Sequence, residues 1–207
     1  MPGRAGGGLC PTCTDEAMTL RCVVADDHPA VRAGLVGLLR SEPGFVPVGA
    51  VGTAGDALRQ VRSERPDLML IDYNLPDRDG LLLCCEVKAL PSPPRVVLYS
   101  AFAGPRLSVA AIVAGAEAVL AKGAPVDEMF ELLRAVGRGA APSPEAQPAV
   151  VERCVAGLEA TEIPIFGMAM ARTPVAEIAA VTGQEVEAVR GRLRALVGRL
   201  APRETAI

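Results

Sequence analysis

Between Pro66 and Gly80 the chain reads PDLMLIDYNLPDRDG, and this stretch constrains the fold more than any other. Leu68 to Ile71 form an apolar run without alternation, the pattern of a strand covered on both faces. Such strands belong to parallel sheets flanked by helices. Asp72 then stands at the carboxyl end of the strand, where open α/β sheets place their ligand crevice. Asn74, Pro76, Asp77, Asp79 and Gly80 supply turn chemistry directly after it. A carboxylate at this place either caps the segment that follows or faces the crevice, and other parts of the chain bear on which.

The same unit recurs along the chain. Strand patterns fall at 20–25, 46–51, 68–71, 95–100 and 118–121, and helical spacing at 30–40, 54–64, 80–90, 105–114 and 126–136. Five such alternations over about 120 residues predict an α/β unit at 20–138, a flavodoxin-like, doubly wound five-stranded parallel sheet with right-handed crossovers. From Gly137 the composition turns to GRGAAPSPEAQPA, which marks residues 139–149 as a linker. Residues 150–207 carry no strand pattern, and helices are expected at 149–155, 161–171, 174–181 and 184–200. Thr182-Gly183 makes a tight connection between the last two. This segment is read as a small all-α domain. Residues 1–19, rich in glycine and without a period, are read as a flexible extension.

The 207 residues suffice for one medium and one small domain without disulfides. With a net charge of −3 and Lys88 and Lys122 as the only lysines, no global positive field attracts nucleic acid, so such a partner is met locally. No apolar run approaches the roughly 18 residues of a membrane span, and the N-terminus lacks the order of a signal peptide. A cytoplasmic protein without a membrane partner is expected. Of six cysteines only Cys10 and Cys13 have metal-type spacing, and the lone pair is read as incidental. Cys22, Cys84 and Cys85 fall in strand and helix patterns, where free cysteine behaves as a small hydrophobe.

Strand ends bring Asp26, Asp27, Asp72, Ser100 and Lys122 to one edge of the sheet. Adjacent carboxylates repel unless a cation sits among them. The segments VVADDHPAVRAGL, LIDYNLPDRDG, VVLYS and GAEAVLAKGA resemble the receiver domain of two-component response regulators, in particular the NarL/FixJ subfamily. Asp72, Pro76 and Gly80 repeat that family's D-x-x-x-P-x-x-x-G loop. The resemblance implies that Asp72 accepts a phosphoryl group from a sensor histidine kinase, and that the protein is not an enzyme in the ordinary sense.

The chemistry of an acyl phosphate explains the residue types. Its oxygens require a divalent ion and a fixed cation against developing charge. Mg2+ prefers a few carboxylates with waters and phosphate oxygen, which Asp26, Asp27 and Asp72 offer. Lys122 is a compact point charge for one phosphoryl oxygen, and the Ser100 hydroxyl donates to another. By the family pattern the backbone carbonyl of Asn74 also faces the ion. One position departs from the pattern, because Val119 stands where the family places an aromatic switch residue. Tyr99 is read as an ordinary half-buried strand tyrosine.

GLEATEIPIF and RTPVAEIAAVTGQEVEAVRGRLRALVGRL resemble the LuxR-type helix-turn-helix, with Pro164 inside the helix expected at 161–171 as a departure. In the last helix Val186, Val189, Leu193, Leu196 and Leu200 form one apolar stripe. Arg190 and Arg194 lie on one flank and Arg192 and Arg199 on the other, placed to reach phosphates or guanine edges in a major groove. Glu185 and Glu187 weaken the positive field there. The resemblance implies a transcription factor with promoter DNA as partner. It leaves open a homodimer, a phosphorylation-independent receiver controlled by a ligand or by oligomerisation, and a protein-binding output domain. A phosphatase using Asp72 as nucleophile would require a lid, and no insertion is large enough to supply one.

Overall fold

Strand and helix alternate as the apolar pattern requires. The structure, a computed structural model, describes residues 19–101, 103–140 and 146–202. The expected N-terminal extension up to residue 18, with Cys10 and Cys13, lies outside the described residues, as do residues 141–145 of the expected linker. The elements are β1 (Leu20–Ala25), α1 (Pro29–Ser41), β2 (Phe45–Val51), α2 (Ala54–Glu64), β3 (Leu68–Asp72), α3 (Gly80–Lys88), β4 (Arg95–Ser100), α4 (Pro105–Ala114), β5 (Ala118–Ala121) and α5 (Val126–Gly137). A helical region follows, with α6 (Pro148–Ala156), α7 (Ile163–Met170), α8 (Val175–Thr182) and α9 (Val186–Leu200).

Local chemistry sets the element ends. Thr53 caps α2 by accepting from the Asp56 amide at 3.1 Å and donating to the Asp56 carboxylate at 2.7 Å. Asp79 caps α3 by accepting from the Leu81 amide at 2.6 Å. That helix stops at Lys88 rather than continuing to Leu90, because Pro91 restricts the residue before it and cannot donate. Pro164, which departed from the sequence pattern, lies in the first turn of α7, where proline costs no hydrogen bond.

All five strands are parallel, in the order β2-β1-β3-β4-β5. The order reverses between β1 and β3, since β1 connects outward to β2 and the chain then returns to β3 on its other side. A crevice opens at such a switch point beyond the strand ends. Alternate residues face opposite layers, as the pleat dictates. Cys22, Val24, Leu68, Leu70 and Val97 pack with Leu35 and Leu39 of α1 and Met129, Phe130 and Leu133 of α5. Val23, Met69, Ile71, Val96 and Leu98 pack on the opposite side with α2, α3 and α4.

The second layer continues without a break into the C-terminal helices. α9 packs against α3 and α4, and α6 and α7 also rest on α4. Ile165, Phe166, Ile178, Val189, Leu193 and Leu196 therefore share one apolar cluster with the sheet. Leu107 and Val109 to Ala114 of α4 are all buried, since that helix is covered by the sheet and by the C-terminal region.

Gly80 marks the tightest backbone approach. A Cβ there would lie 2.1 Å from the Asp72 carbonyl oxygen and 3.1 Å from the Tyr73 Cα, both of them main chain. We expect Gly80→Ala to destabilise the protein by about 1–3 kcal/mol through overpacking. Gly37→Ala, in α1 with nothing within 4 Å of the new Cβ, should stabilise by about 1 kcal/mol. Urea denaturation of the two variants checks both signs.

Candidate functional site

Among the described residues the buried polar side chains are Asp26, Asp72 and Ser100, all at the carboxyl edge of the sheet. Asp26 follows β1, Asp72 ends β3 and Ser100 ends β4. Lys122, just after β5, brings its ammonium to 2.7 Å from Asp26 Oδ2 and 2.8 Å from Asp72 Oδ2. Its Nζ also lies 5.6 Å from the centre of the Tyr99 ring. The Asp26 side chain is fixed further by the His28 amide, which donates to Oδ1 at 2.8 Å. Arg32 donates to the Asp26 carbonyl at 2.7 Å.

Burial pushes the Asp72 carboxyl above the ordinary aspartate value, against the lowering effect of Lys122 and with help from the nearby Asp26 charge. For Lys122 burial acts to lower the pKa, yet the hydrogen bonds to Asp26 and Asp72 outweigh it and hold the ammonium above the usual lysine value. Both shifts express one imbalance, two buried carboxylates sharing a single cation.

The site also fits a divalent ion. Ligand atoms of Asp26, Asp27, His28 and Asp72 all lie within 4.8 Å of one another. Asp27 Oδ1 is buried and accepts no hydrogen bond, although the His28 imidazole Nδ1 stands beside it. A carboxylate oxygen that accepts no hydrogen bond keeps its lone pairs for a hard cation.

The loop after β3 is pinned at several points. Asp77 accepts from the amides of Ala54 at 2.8 Å and Gly55 at 3.0 Å, tying the loop to the start of α2. Slight burial of Asp77 acts to raise its pKa, but these amides outweigh it and hold the carboxyl below the ordinary value. Asn74 bridges Asp79 across the loop, and the Gly80 amide donates to the Tyr73 carbonyl at 2.8 Å. Asn74 is thereby held at the crevice rim. Val119 is half-buried on the side of α2 to α4, and Tyr99 is half-buried on the side of α1 and α5. Sequence reasoning missed Asp77 and His28. The signal for Asp77 was a second carboxylate within reach of the Thr53-capped helix start, visible only once β1 to β3 are aligned.

Contacts with the C-terminal region begin next to Asp72. The Tyr73 hydroxyl donates to the Pro202 carbonyl at 2.9 Å, just beyond α9. Arg106 of α4 donates to the Leu200 and Arg199 carbonyls at 3.1 and 3.4 Å. The expected DNA-facing arginines are distributed unevenly. Arg190 and Arg194 line a cavity between α9 and the α/β unit, and Arg190 pairs with Glu187. Arg199 pairs with Glu162, and Arg192 is exposed.

A family model described as the response regulator receiver domain matches residues 22–134. The chain belongs to this family. It is 31% identical over 120 residues to the DNA-binding transcriptional activator DevR/DosR of Mycobacterium tuberculosis, a match over 58% of this chain and 55% of that protein. It is 32% identical over 120 residues to the probable transcriptional regulatory protein NarL of the same organism, over 58% and 56%. The chain thus spans about half the length of the curated relatives it matches. One receiver relative is a protein-glutamate methylesterase of Anaeromyxobacter dehalogenans, 34% identical over 108 residues, 52% of this chain and 30% of that protein. Among solved structures, a two-component response regulator of the LuxR family from Aurantimonas superposes with TM-score 0.59 at 28% identity, covering 66% of this chain and 99% of that one. The RcsB–DNA complex shares the fold at 19% identity and TM-score 0.58, covering 88% of this chain and 92% of that one. These likenesses show a receiver fold followed by a C-terminal helical region, and no helix among the described residues is long and apolar enough to cross a membrane.

The receiver's charge balance can be tested by titration. Folding favours neutral Asp72, so its contribution falls as pH rises from the ordinary carboxylate value through its raised value. Lys122 contributes fully below the ordinary lysine value, and that support is lost as pH rises through its raised value. Asp72→Asn should raise the Tm at pH 7, with the gap closing towards about pH 4. Lys122→Met leaves two buried carboxylates uncompensated and should cost roughly 3 kcal/mol, most of it restored in the double variant. Thermal melts from about pH 4 to pH 7 check the Asp72 sign, and melts taken above the ordinary lysine value of about 10.4 check that of Lys122.

Proposed function

We propose that the chain is a response regulator transcription factor, with a receiver at residues 20–138, a linker at 139–149 and a helix-turn-helix output domain at 150–207. The observation that carries the reading is the convergence of Asp26, Asp27, Asp72 and Lys122 at the sheet's switch point, on a chain whose relatives are named as transcriptional regulators. The reading places the protein in the cytoplasm, with a sensor histidine kinase and promoter DNA as partners, and assigns it no enzymatic role beyond its own phosphoryl chemistry.

An Asp72 oxygen attacks the phosphorus of a phosphohistidine; the O–P bond forms as the N–P bond breaks, and the imidazole leaves. Lys122 faces one phosphoryl oxygen and the Ser100 hydroxyl donates to another. Asp26, Asp27, Asp72 and the Asn74 carbonyl would hold Mg2+, which supplies charge neutralisation at the transferring group. Once Asp72 carries the acyl phosphate its carboxylate charge is replaced by a phosphoryl dianion, and Lys122 is drawn from Asp26 towards it. Tyr73 adjoins that change and hydrogen-bonds to the end of α9.

On the output side Arg190, Arg192, Arg194 and Arg199 are the candidate DNA contacts. Because Arg190 and Arg194 face the receiver, α9 must leave α3 and α4 before both can reach a groove.

Incubation with a small phosphodonor and magnesium should add one acid-labile phosphoryl group, absent in Asp72→Asn; unchanged labelling in that variant moves the acceptor elsewhere. Magnesium alone should raise the Tm of the wild type by mass action, and Asp27→Ala should abolish the shift.

A gel-shift series on genomic fragments tests the output. Tyr73→Phe removes the hydroxyl that reaches both the Pro202 carbonyl and Asp79, the former bond worth about 1 kcal/mol, and should tighten DNA binding by the unphosphorylated protein about fivefold. Arg190→Ala should weaken binding by roughly 1–3 kcal/mol with altered sequence preference. Arg192→Ala should weaken all sequences alike and flatten the salt dependence. A phosphorylated wild type that binds no fragment overturns the transcription-factor reading.

A further inference from the structure

A cavity of about 540 Å3 lies between the receiver and the C-terminal helices, away from the acidic crevice. Its volume falls within the range of small-molecule sites, roughly 300–1,000 Å3. Five cationic side chains line it, Lys88 and Arg95 from the receiver and Arg172, Arg190 and Arg194 from the helical region. Glu117 is the carboxylate among them; Lys88 engages it at 2.6 Å, and its charge also acts on Arg172. The floor is apolar, formed by Ile112, Val113, Val175, Ile178 and Leu193.

Lys88 and Arg95 of the receiver meet three arginines of the helical region, an opposition that the attraction between Glu117 and Arg172 relieves only in part. Like charges meeting across an interface cost free energy, and low-dielectric walls magnify the effect. Arg190 is balanced in part by Glu187, whereas the closest approach of Arg194 to that same carboxylate is 3.9 Å. Among the described residues Arg95 has no ion-pair partner, and its guanidinium lies beside Gly139. Arg172 adds a second observation. It occupies the left-handed position after α7, at φ 63°, where glycine is the usual residue. The Ala116 carbonyl of the receiver accepts from its Nη1 at 2.5 Å. A strained arginine at a place that glycine would fill more easily holds its charge at the cavity wall.

We propose that this cavity binds an amphipathic organic anion, a carboxylate or phosphate head with an apolar body, bridging Arg95 of the receiver to Arg172 and Arg194 of the helical region. Inorganic phosphate alone would leave the apolar floor unfilled. An anion held there offsets the repulsion between the two parts and keeps α9 on α3 and α4. Only that last consequence, restraint of DNA binding, rests on the function proposed above.

The test uses the full chain and 1-anilinonaphthalene-8-sulfonate as probe, with decanoate, decyl phosphate and decanol as competitors. We expect one saturable probe site, displaced by decanoate or decyl phosphate and at least about tenfold less effectively by decanol. The stronger of the two anions identifies the head group. Arg95→Gln and Arg194→Gln should each weaken probe binding about five- to tenfold, with circular dichroism unchanged. Arg59→Gln, on the exposed face of α2 and absent from the cavity wall, should match the wild type. Unsaturable binding, equal displacement by decanol, or wild-type affinity in both cavity variants overturns the proposal. Because fluorescence reads the anion directly, a chain that binds no DNA leaves this outcome legible.

Discussion

A single ammonium group holds the carboxyl edge of this protein together. Asp26 and Asp72 are buried at neighbouring strand ends, and each would repel the other if Lys122 did not stand between them. The lysine starts from the edge strand β5 and reaches over β4, near the Tyr99 ring, to β3 and β1. Its position therefore depends on the whole sheet order, and the sheet order is visible in what it neutralises. The lysine's single positive charge cannot satisfy three carboxylates, one of which, Asp27, holds an oxygen that accepts no hydrogen bond. An edge with this excess of negative charge favours further positive charge beside it.

Much of this was legible from the chain alone because it depends on local order. The apolar run Leu68 to Ile71 required helices on both faces, and the two apolar layers supply them. Asp72, Ser100 and Lys122 were legible because every parallel strand delivers its last residues to one edge. The residues that pin the site were harder to see. Asp77 reads as a turn former, and its amide partners at Ala54 and Gly55 come from a segment that the sequence gives no reason to bring close. Pro164 looked like a helix breaker until the start of α7 was placed beneath it. Periodicity reports the burial of a face without reporting against what, and so the direction of Arg190 and Arg194 could not be read. Val189 and Leu193 hold α9 in its own bundle while the adjoining flank meets the receiver.

The docking of the helical region makes that distinction physical. Among the described residues, polar contacts across it run to main-chain carbonyls, from Tyr73 to Pro202, from Arg106 to Leu200 and from Arg172 to Ala116. Such contacts specify where the helices sit, at about 1 kcal/mol each. Apolar packing on α4 supplies the adhesion, and the cluster of arginines opposes it. The balance is between a surface effect that is short-ranged and a charge effect that reaches further, so modest changes of charge can decide which arrangement prevails.

α4 imposes a further condition. A helix beside a sheet has one apolar stripe and one wet face, yet in this chain Leu107 and the whole run from Val109 to Ala114 are covered. Nothing polar along that run equips it to meet water. Partial lifting of the C-terminal helices would wet this surface without completing any replacement contact, which makes intermediate positions the least favourable ones. The two parts of the chain should consequently separate in one cooperative event, and the vacated face of α4 will be the stickiest place on the molecule until another apolar surface covers it.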